Sequence, residues 1–294
     1  MEWKNRSIEA LLEQALKEDK AAGDTTTRLT IDDNLRATAT IIARQEMVVA
    51  GLGCIPQLFE IFARLDNHSK TRFEVVSHPE IFDGVRVHDG QVLAVIRHNA
   101  RALLSCERVI LNLMQHLSGI ATLTRTYVDA VHGTKARVLD TRKTMPGLRT
   151  LEKYAVLCGG GTNHRLDLSD GILIKNNHIA LGGGIPQVLV RALASRPAGK
   201  RVQIEVRSMA ELNEALANDA EAVLLDNMTP QQVADCVARI RTEKQWIPTE
   251  ASGGIVFENI RAYAETGVEF ISVGALTHSA KAADISMRIV AESA

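Results

Sequence analysis

The sequence predicts a two-part protein: a small α+β unit on a mostly antiparallel sheet, then an incomplete α/β barrel of six or seven parallel strands. Three observations lead there. Through the second half, short apolar runs alternate with helix patterns, the signature of parallel strands joined by crossovers. The first hundred residues carry strand patterns separated by turn dipeptides instead. Finally, every later apolar run ends in a polar or glycine residue, so one rim collects the chemistry, as in barrels.

Ile8, Leu11, Leu12, Ala15 and Leu16 recur at helical spacing and predict a helix over 7–19, broken by Gly23-Asp24-Thr25-Thr26-Thr27. ATATIIA (37–43) and MVVAG (47–51) read as strands around the polar Arg44-Gln45-Glu46. Leu58, Phe59, Phe62 and Ala63 share one face of a helix over 55–65. FEVV (73–76) and QVLAVI (91–96) complete the first sheet, with Asp83-Gly84 and Asp89-Gly90 reversing the chain. A long helix then runs from Leu103 to about Val131, with Gly119 as a candidate interruption and His132-Gly133 as its end. Arg108 lies off its apolar stripe, and on pattern alone reads as a solvated helix charge.

The strand runs that follow are Val138-Leu139, Ile172–Ile174, Val202–Ile204, Val223–Leu225, Ile247–Thr249 and Phe270–Val273. Helix patterns over 208–219, 229–243 and 257–266 separate the later ones, and a further strand is expected near His164–Leu168. No GxGxxG follows the first run, which disfavours an open dinucleotide-binding sheet. The expected division is an N-terminal domain over 1–115, with the connector helix from about 103, and a barrel over 116–294. A C-terminal helix is expected to pack back on the N-terminal domain.

Composition narrows the function. The 294 residues are 46% hydrophobic and 23% charged, ordinary for a globular chain. A net charge of −1 with locally clustered cations argues for a small anionic ligand and against nucleic acid. No window approaches a membrane span or a signal peptide. Four cysteines without close pairing or metal-ligand spacing fit reduced thiols in the cytoplasm.

The strand ends sort into three chemical zones. Arg142, Lys143, His164, Arg165 and Lys175 form a cationic zone, where paired arginine forks can hold a dicarboxylate. Glu205 and Asp226 form an acidic zone suited to a ribose diol, a hydrated Mg²⁺ or a developing positive charge, or to ion pairs with those cations. Ser252-Gly253-Gly254 and Gly274 follow the last two strands, where backbone N–H groups and a helix N-terminus commonly cradle phosphate. Gly159–Gly161 and Gly182–Gly184 are weaker candidates, closer to ordinary loops. Together the zones suit a phosphoribosyl donor and a carboxylated acceptor.

The stretches DTRKTMPGLRTLEKYAV, GGGTNHRLDLSDGILIKNNHI, IEVRS, LLDNM, EASGGI and SVGALTHS, with ERVILNLMQHLSGIAT in the connector, closely resemble quinolinate phosphoribosyltransferase. The resemblance covers most of the chain. It departs at Asn176, where many members carry Asp, and near Ala21-Ala22, where a glycine is usual. It implies a seven-stranded α/β barrel with an N-terminal α+β open-faced sandwich. It implies reaction of quinolinate with phosphoribosyl pyrophosphate and Mg²⁺ to nicotinate mononucleotide, pyrophosphate and CO₂ in NAD biosynthesis. By matching motif, Arg142, Lys143, His164, Arg165 and Lys175 bind substrate. Glu205 and Asp226 face ribose and metal, the latter directly or through water, and Ser252, Gly253, Gly254 and Gly274 take the 5-phosphate. Lys143, Lys175, Glu205 and Asp226 are the expected catalytic groups. Arg108, in the ERV motif, is supplied to a neighbouring subunit, which implies a homodimer or a larger assembly of dimers. A rival within the same fold would use nicotinate or another anionic acceptor, and the two clamps Arg142 and Arg165 favour the dicarboxylate.

Overall fold

The computed structural model describes residues 1–66, 72–244 and 247–292. They fall into two compact units. One comprises Met1–Leu123, Leu157–Gly160 and Ala280–Ala294, the other Thr124–Val156 and Gly161–Ser279.

In the first unit, α1 (Arg6–Glu18) starts where Asn5 accepts the Ser7 N–H at 3.0 Å, and it buries Ile8, Leu12 and Leu16 at four-residue spacing. The polar segment after it does more than interrupt. Asp24 accepts the Thr27 N–H at 3.0 Å and so caps a second helix, α2 (Thr25–Thr30). Strand β1 (Arg36–Ala43) turns Ala37, Ala39, Ile41 and Ala43 inward. A short pair, β2 (Met47–Val48) with β4 (Arg86–Val87), flanks α3 (Cys54–Leu65) and β3 (Glu74–Val76) in sequence. Strand β5 (Val92–Asn99) leads directly into the long helix α4 (Ala100–Ala130).

Gly119 does not interrupt α4. A Cβ at Gly119 would overlap the Lys281 carbonyl oxygen, so glycine permits a close approach of the returning chain. The returning segment also corrects an expectation. Instead of a C-terminal helix, β12 (Ile285–Ala291) pairs antiparallel with β1, Ala39 opposite Ile289, and the four-stranded order is β12-β1-β5-β3. The reason is a two-residue period: Ile285, Met287 and Ile289 are sheltered, whereas Arg288 and Val290 face solvent.

The second unit holds the parallel strands β6 (Arg137–Leu139), β7 (Ile172–Ile174), β8 (Val202–Val206), β9 (Ala222–Asp226), β10 (Thr249–Ser252) and β11 (Phe270–Ser272). Their order is β6-β11-β10-β9-β8-β7. Between them run α5 (Arg149–Cys158), α6 (Asn176–Gly182), α7 (Ile185–Ser195), α8 (Met209–Ala217), α9 (Pro230–Glu243), α10 (Phe257–Ala264) and α11 (Ala275–His278). Ser208 caps α8 and Thr229 caps α9, the latter in a reciprocal box with Gln232.

Six parallel strands are present among the described residues, and the stretch His164–Leu168 is not a seventh. Only Thr162 bridges Leu139 in parallel. Side chains occupy the backbone groups that a ladder would need. Asp140 accepts the His164 N–H (2.8 Å), Asp170 accepts the Leu166 N–H (2.8 Å), and Lys153 donates to the His164 carbonyl (3.0 Å). Strand β10 also lies later than its apolar run suggested and carries Glu250 within it.

The close approach at Gly119 yields a direct test. Gly119→Ala should cost about 1–3 kcal/mol of unfolding free energy through overpacking, measured by urea denaturation. A variant as stable as the parent would mean that the Lys281 segment yields freely.

Candidate active site

The carboxyl ends of the six strands border one cavity of about 710 Å³, a volume suited to a medium-sized ligand. Arg142, Lys143, His164, Arg165, Lys175, Glu205, Asp226, Ser252, Gly253, Gly254 and Gly274 all line it. Arg108 does not. Its side chain, 67% exposed on α4, lies 3.4 Å from Glu107 in an ion pair.

The cationic zone is built from β6 and the loop after Thr162. Just past β6, Asp140 is fully buried and paired with Lys153 of α5. Asp140 also accepts the His164 N–H, and the Asn163 amide, oriented to satisfy both its ends, reaches Asp140 at 2.6 Å. Arg142 and Lys143 follow two and three residues later. Thr277 donates to the Lys143 carbonyl at 2.8 Å, tying that loop to α11. The Arg142 Nε is buried and has no hydrogen-bond partner among the described residues. Arg165 Nη1 donates to the Gly171 carbonyl at 3.0 Å. Burial, and then the like charge of Arg142, lower the Arg165 pKa from its ordinary value, against a smaller opposing pull from Asp167 and Asp170. Two guanidinium groups lining one cavity and close enough to influence each other's charge, one with an orphaned donor, suit an anion.

Across the sheet, Glu205 is buried at the end of β8 and Asp226 closes β9. Their partner is Arg207, not the cationic zone: its Nη2 lies 3.7 Å from Glu205 and its Nε 3.3 Å from Asp226. Asn227 also donates to Asp226 at 2.8 Å. Two carboxylates on adjacent strands, drawn together by one guanidinium, fit a hard divalent cation. No group of three or more His, Cys, Asp or Glu side chains able to hold a metal occurs among the described residues. Other metal ligands would therefore be water and substrate oxygens, the usual Mg²⁺ arrangement.

At the glycine zone, Gly253 has φ +92°, and a Cβ there would collide with Asn227, whose backbone nitrogen would lie 2.8 Å away. The bare turn lets the backbone border the cavity just before α10 begins. The triplets Gly159–Gly161 and Gly182–Gly184 lie outside the cavity lining.

Several participants escaped the sequence reading. Glu250 is buried on β10 between His164 (3.3 Å), Gln203 (2.8 Å) and Ser272. Burial raises its pKa, but those donors outweigh burial and hold the carboxyl below its ordinary value. Asp140, Lys153, Arg207 and Glu250 all sit inside the quoted motifs, so position was available even though role was not.

Comparison with known proteins agrees with this geometry. The family models for the quinolinate phosphoribosyl transferase N-terminal and C-terminal domains match residues 24–118 and 120–288. The chain belongs to the quinolinate phosphoribosyl transferase family. Among its curated relatives, nicotinate-nucleotide pyrophosphorylase (carboxylating) of Mycobacterium leprae is 42% identical, over 94% of this chain and 95% of that one. A probable nicotinate-nucleotide pyrophosphorylase (carboxylating) of Bacillus subtilis is 41% identical, over 96% and 93%. The crystal structure of NadC from Streptococcus pyogenes superposes with a TM-score of 0.89 at 37% identity, covering 97% of each chain. Membership of the quinolinate phosphoribosyl transferase family thus rests on both units. Among the described residues, no helix is long and apolar enough to cross a membrane.

The buried pair at the base of the cationic zone can be tested alone. Lys153→Met leaves Asp140 without its cation and should cost about 3–5 kcal/mol, read as a lowered denaturation midpoint. An unchanged midpoint would place no stability in the pair.

Proposed function

We propose that the protein transfers the phosphoribosyl group of phosphoribosyl pyrophosphate to quinolinate, with decarboxylation to nicotinate mononucleotide, pyrophosphate and CO₂. One observation carries the choice of acceptor: Arg142 and Arg165 line the same cavity within electrostatic reach of each other, without an ion pair among the described residues. Two adjacent forks match two adjacent ring carboxylates better than one.

In this reading Arg142, Lys143, His164 and Arg165 seat the pyridine, while Lys175 faces the donor's pyrophosphate. Ser252, Gly253, Gly254 and Gly274 receive the 5-phosphate. The ring nitrogen forms a bond to the ribose anomeric carbon as the bond to pyrophosphate breaks. Positive charge developing on the ribose is stabilised by the carboxylates of buried Glu205 and half-buried Asp226. Ribosylation leaves the ring nitrogen cationic, so it stabilises the electron pair that departing CO₂ leaves on the adjacent ring carbon until that carbon takes a proton. Holding the dicarboxylate is then the protein's main contribution. Glu205 and Asp226 would also hold Mg²⁺, which supplies charge neutralisation for the donor's phosphates when bound.

The parallel sheet is read as an incomplete barrel, because its edge strands β6 and β7 both serve the same cavity. The chain is read as a cytoplasmic homodimer or larger assembly. Cys54, Cys106, Cys158 and Cys236, held as thiols, suit a reducing compartment. Arg108, exposed and outside its own cavity, is read as completing a neighbour's site.

Pyrophosphate and CO₂ should appear together when quinolinate and donor are supplied; equal or faster turnover of nicotinate would sink the choice of acceptor. Arg165→Ala should weaken quinolinate binding by about 2–5 kcal/mol, the loss of a desolvated charge contact, measured by titration calorimetry. Unchanged affinity would take Arg165 out of the clamp.

Subunit sharing predicts complementation. Mixed Arg108→Ala and Arg142→Ala subunits should regain activity that each lacks alone, because some sites then combine two intact contributions. No recovery, with subunit exchange verified by mass spectrometry, would confine each site to one chain.

A further inference from the structure

His164 belongs to the cationic zone by residue type, yet both its ring nitrogens are engaged within the protein. Nδ1 accepts the Arg165 backbone N–H at 2.7 Å. A ring nitrogen that accepts keeps its lone pair, so the proton of the neutral ring sits on Nε2. Nε2 in turn lies 3.3 Å from Glu250 Oε2. The same Oε2 accepts Gln203 Nε2 at 2.8 Å, while Ser272 Oγ donates to Oε1. Glu250 is buried, and among the described residues no other carboxylate pairs with the His164 ring.

We infer that Glu250 is a positioning residue: it holds His164 as the neutral Nε2–H tautomer, whose Nδ1 then fixes the Arg165 backbone in the acceptor clamp. The negative charge of the acceptor is met by Arg142, Lys143 and Arg165, without an imidazolium. What the clamp binds rests on the phosphoribosyl-transfer reading; the tautomer does not.

The charged groups around His164 are accounted for element by element. From the end of β6, Asp140 accepts its backbone N–H, and from α5, Lys153 donates to its carbonyl. Those two compensate each other in their ion pair. Glu250 on β10 favours a protonated ring. Arg165, the next residue, opposes it, and its N–H already occupies Nδ1. Protonating Nδ1 would set two donors 2.7 Å apart.

An isosteric variant separates hydrogen bonding from charge. In Glu250→Gln the amide oxygen can replace Oε2 toward His164 and Gln203. Its NH₂ can then donate to Ser272 Oγ, which turns to accept. In Glu250→Leu all three donors lose their acceptor.

The experiment combines spectra and kinetics on the whole protein. With ¹⁵N-labelled histidine, and His164 assigned by its loss in His164→Gln, the spectrum should show one protonated and one bare ring nitrogen at neutral pH. Both nitrogens protonated would overturn the inference. In steady-state assays Glu250→Leu should raise the quinolinate KM by about tenfold, the scale of a lost hydrogen bond to a charged group, with donor KM little changed. Glu250→Gln should recover most of that loss. A Gln variant as impaired as Leu would mean that charge is what Glu250 supplies, and a Leu variant with the parent's KM would remove its positioning role. Should the Leu variant not fold, the Gln variant and the spectra still decide. Absence of quinolinate-dependent pyrophosphate release by the parent protein would sink the functional reading instead, leaving the tautomer to the spectra.

Discussion

The ion pair between Lys153 and Asp140 is withdrawn from solvent at the point where β6 becomes the active-site loop. Each partner is bonded further: Asp140 to the His164 N–H and the Asn163 amide, Lys153 to the His164 carbonyl. Such pairs add little net stability, because desolvating both charges offsets much of their attraction. Their effect here is on conformation. Side-chain donors and acceptors take backbone groups of residues 164 and 165, and the segment lies beside β6 without extending the ladder beyond Thr162. His164 and Arg165 border the cavity as a consequence.

Charge elsewhere in the site is balanced by a different device. Glu205 and Asp226 repel each other across β8 and β9, and Arg207 bridges them at the edge of solvent. Its side chain is 47% exposed, so the attraction is screened and the arginine can move at modest cost. The acidic zone is thereby compensated without drawing on the cations that face an acceptor. The opposite holds for Arg142 and Arg165, whose mutual repulsion meets only a smaller opposing pull from Asp167 and Asp170. In the proposed reading a dicarboxylate would relieve that repulsion, so the empty clamp would favour such an acceptor.

Much of this site was legible in the sequence, because a parallel strand announces its carboxyl end as an apolar run giving way to a polar residue. That rule located Lys175, Glu205, Asp226 and the glycine turns. It failed at Glu250, since a strand with a buried carboxylate does not read as apolar, and the run at Ile247–Thr249 pointed three residues too early. His164–Leu168 misled in another way: its backbone groups are claimed by nearby Asp170 and by Asp140 and Lys153, the latter two distant enough in sequence to be invisible to a local pattern. The C-terminal segment mixes Ile, Met, Arg and Val in a pattern compatible with either period. Pairing with β1, more than two hundred residues earlier, settles it as a strand. The role proposed for Arg108 rests on resemblance alone, because helix pattern cannot tell a solvated arginine from one awaiting a ligand.

Strand order explains why the three zones need no long loops to meet. Reading across the sheet, β6 brings Arg142 and Lys143, β11 and β10 bring glycine turns, β9 and β8 bring carboxylates, and β7 brings Lys175. Cations therefore stand at both edges, with the phosphate cup and the acids between them. In the proposed reading, a donor with its 5-phosphate on the glycines would set its ribose by Glu205 and Asp226 and its pyrophosphate toward Lys175, leaving the side of β6 to the acceptor. Because each group hangs on a hydrogen-bonded strand end, their spacing is set by the sheet itself, which is the preorganisation that a reaction between two separate anions requires.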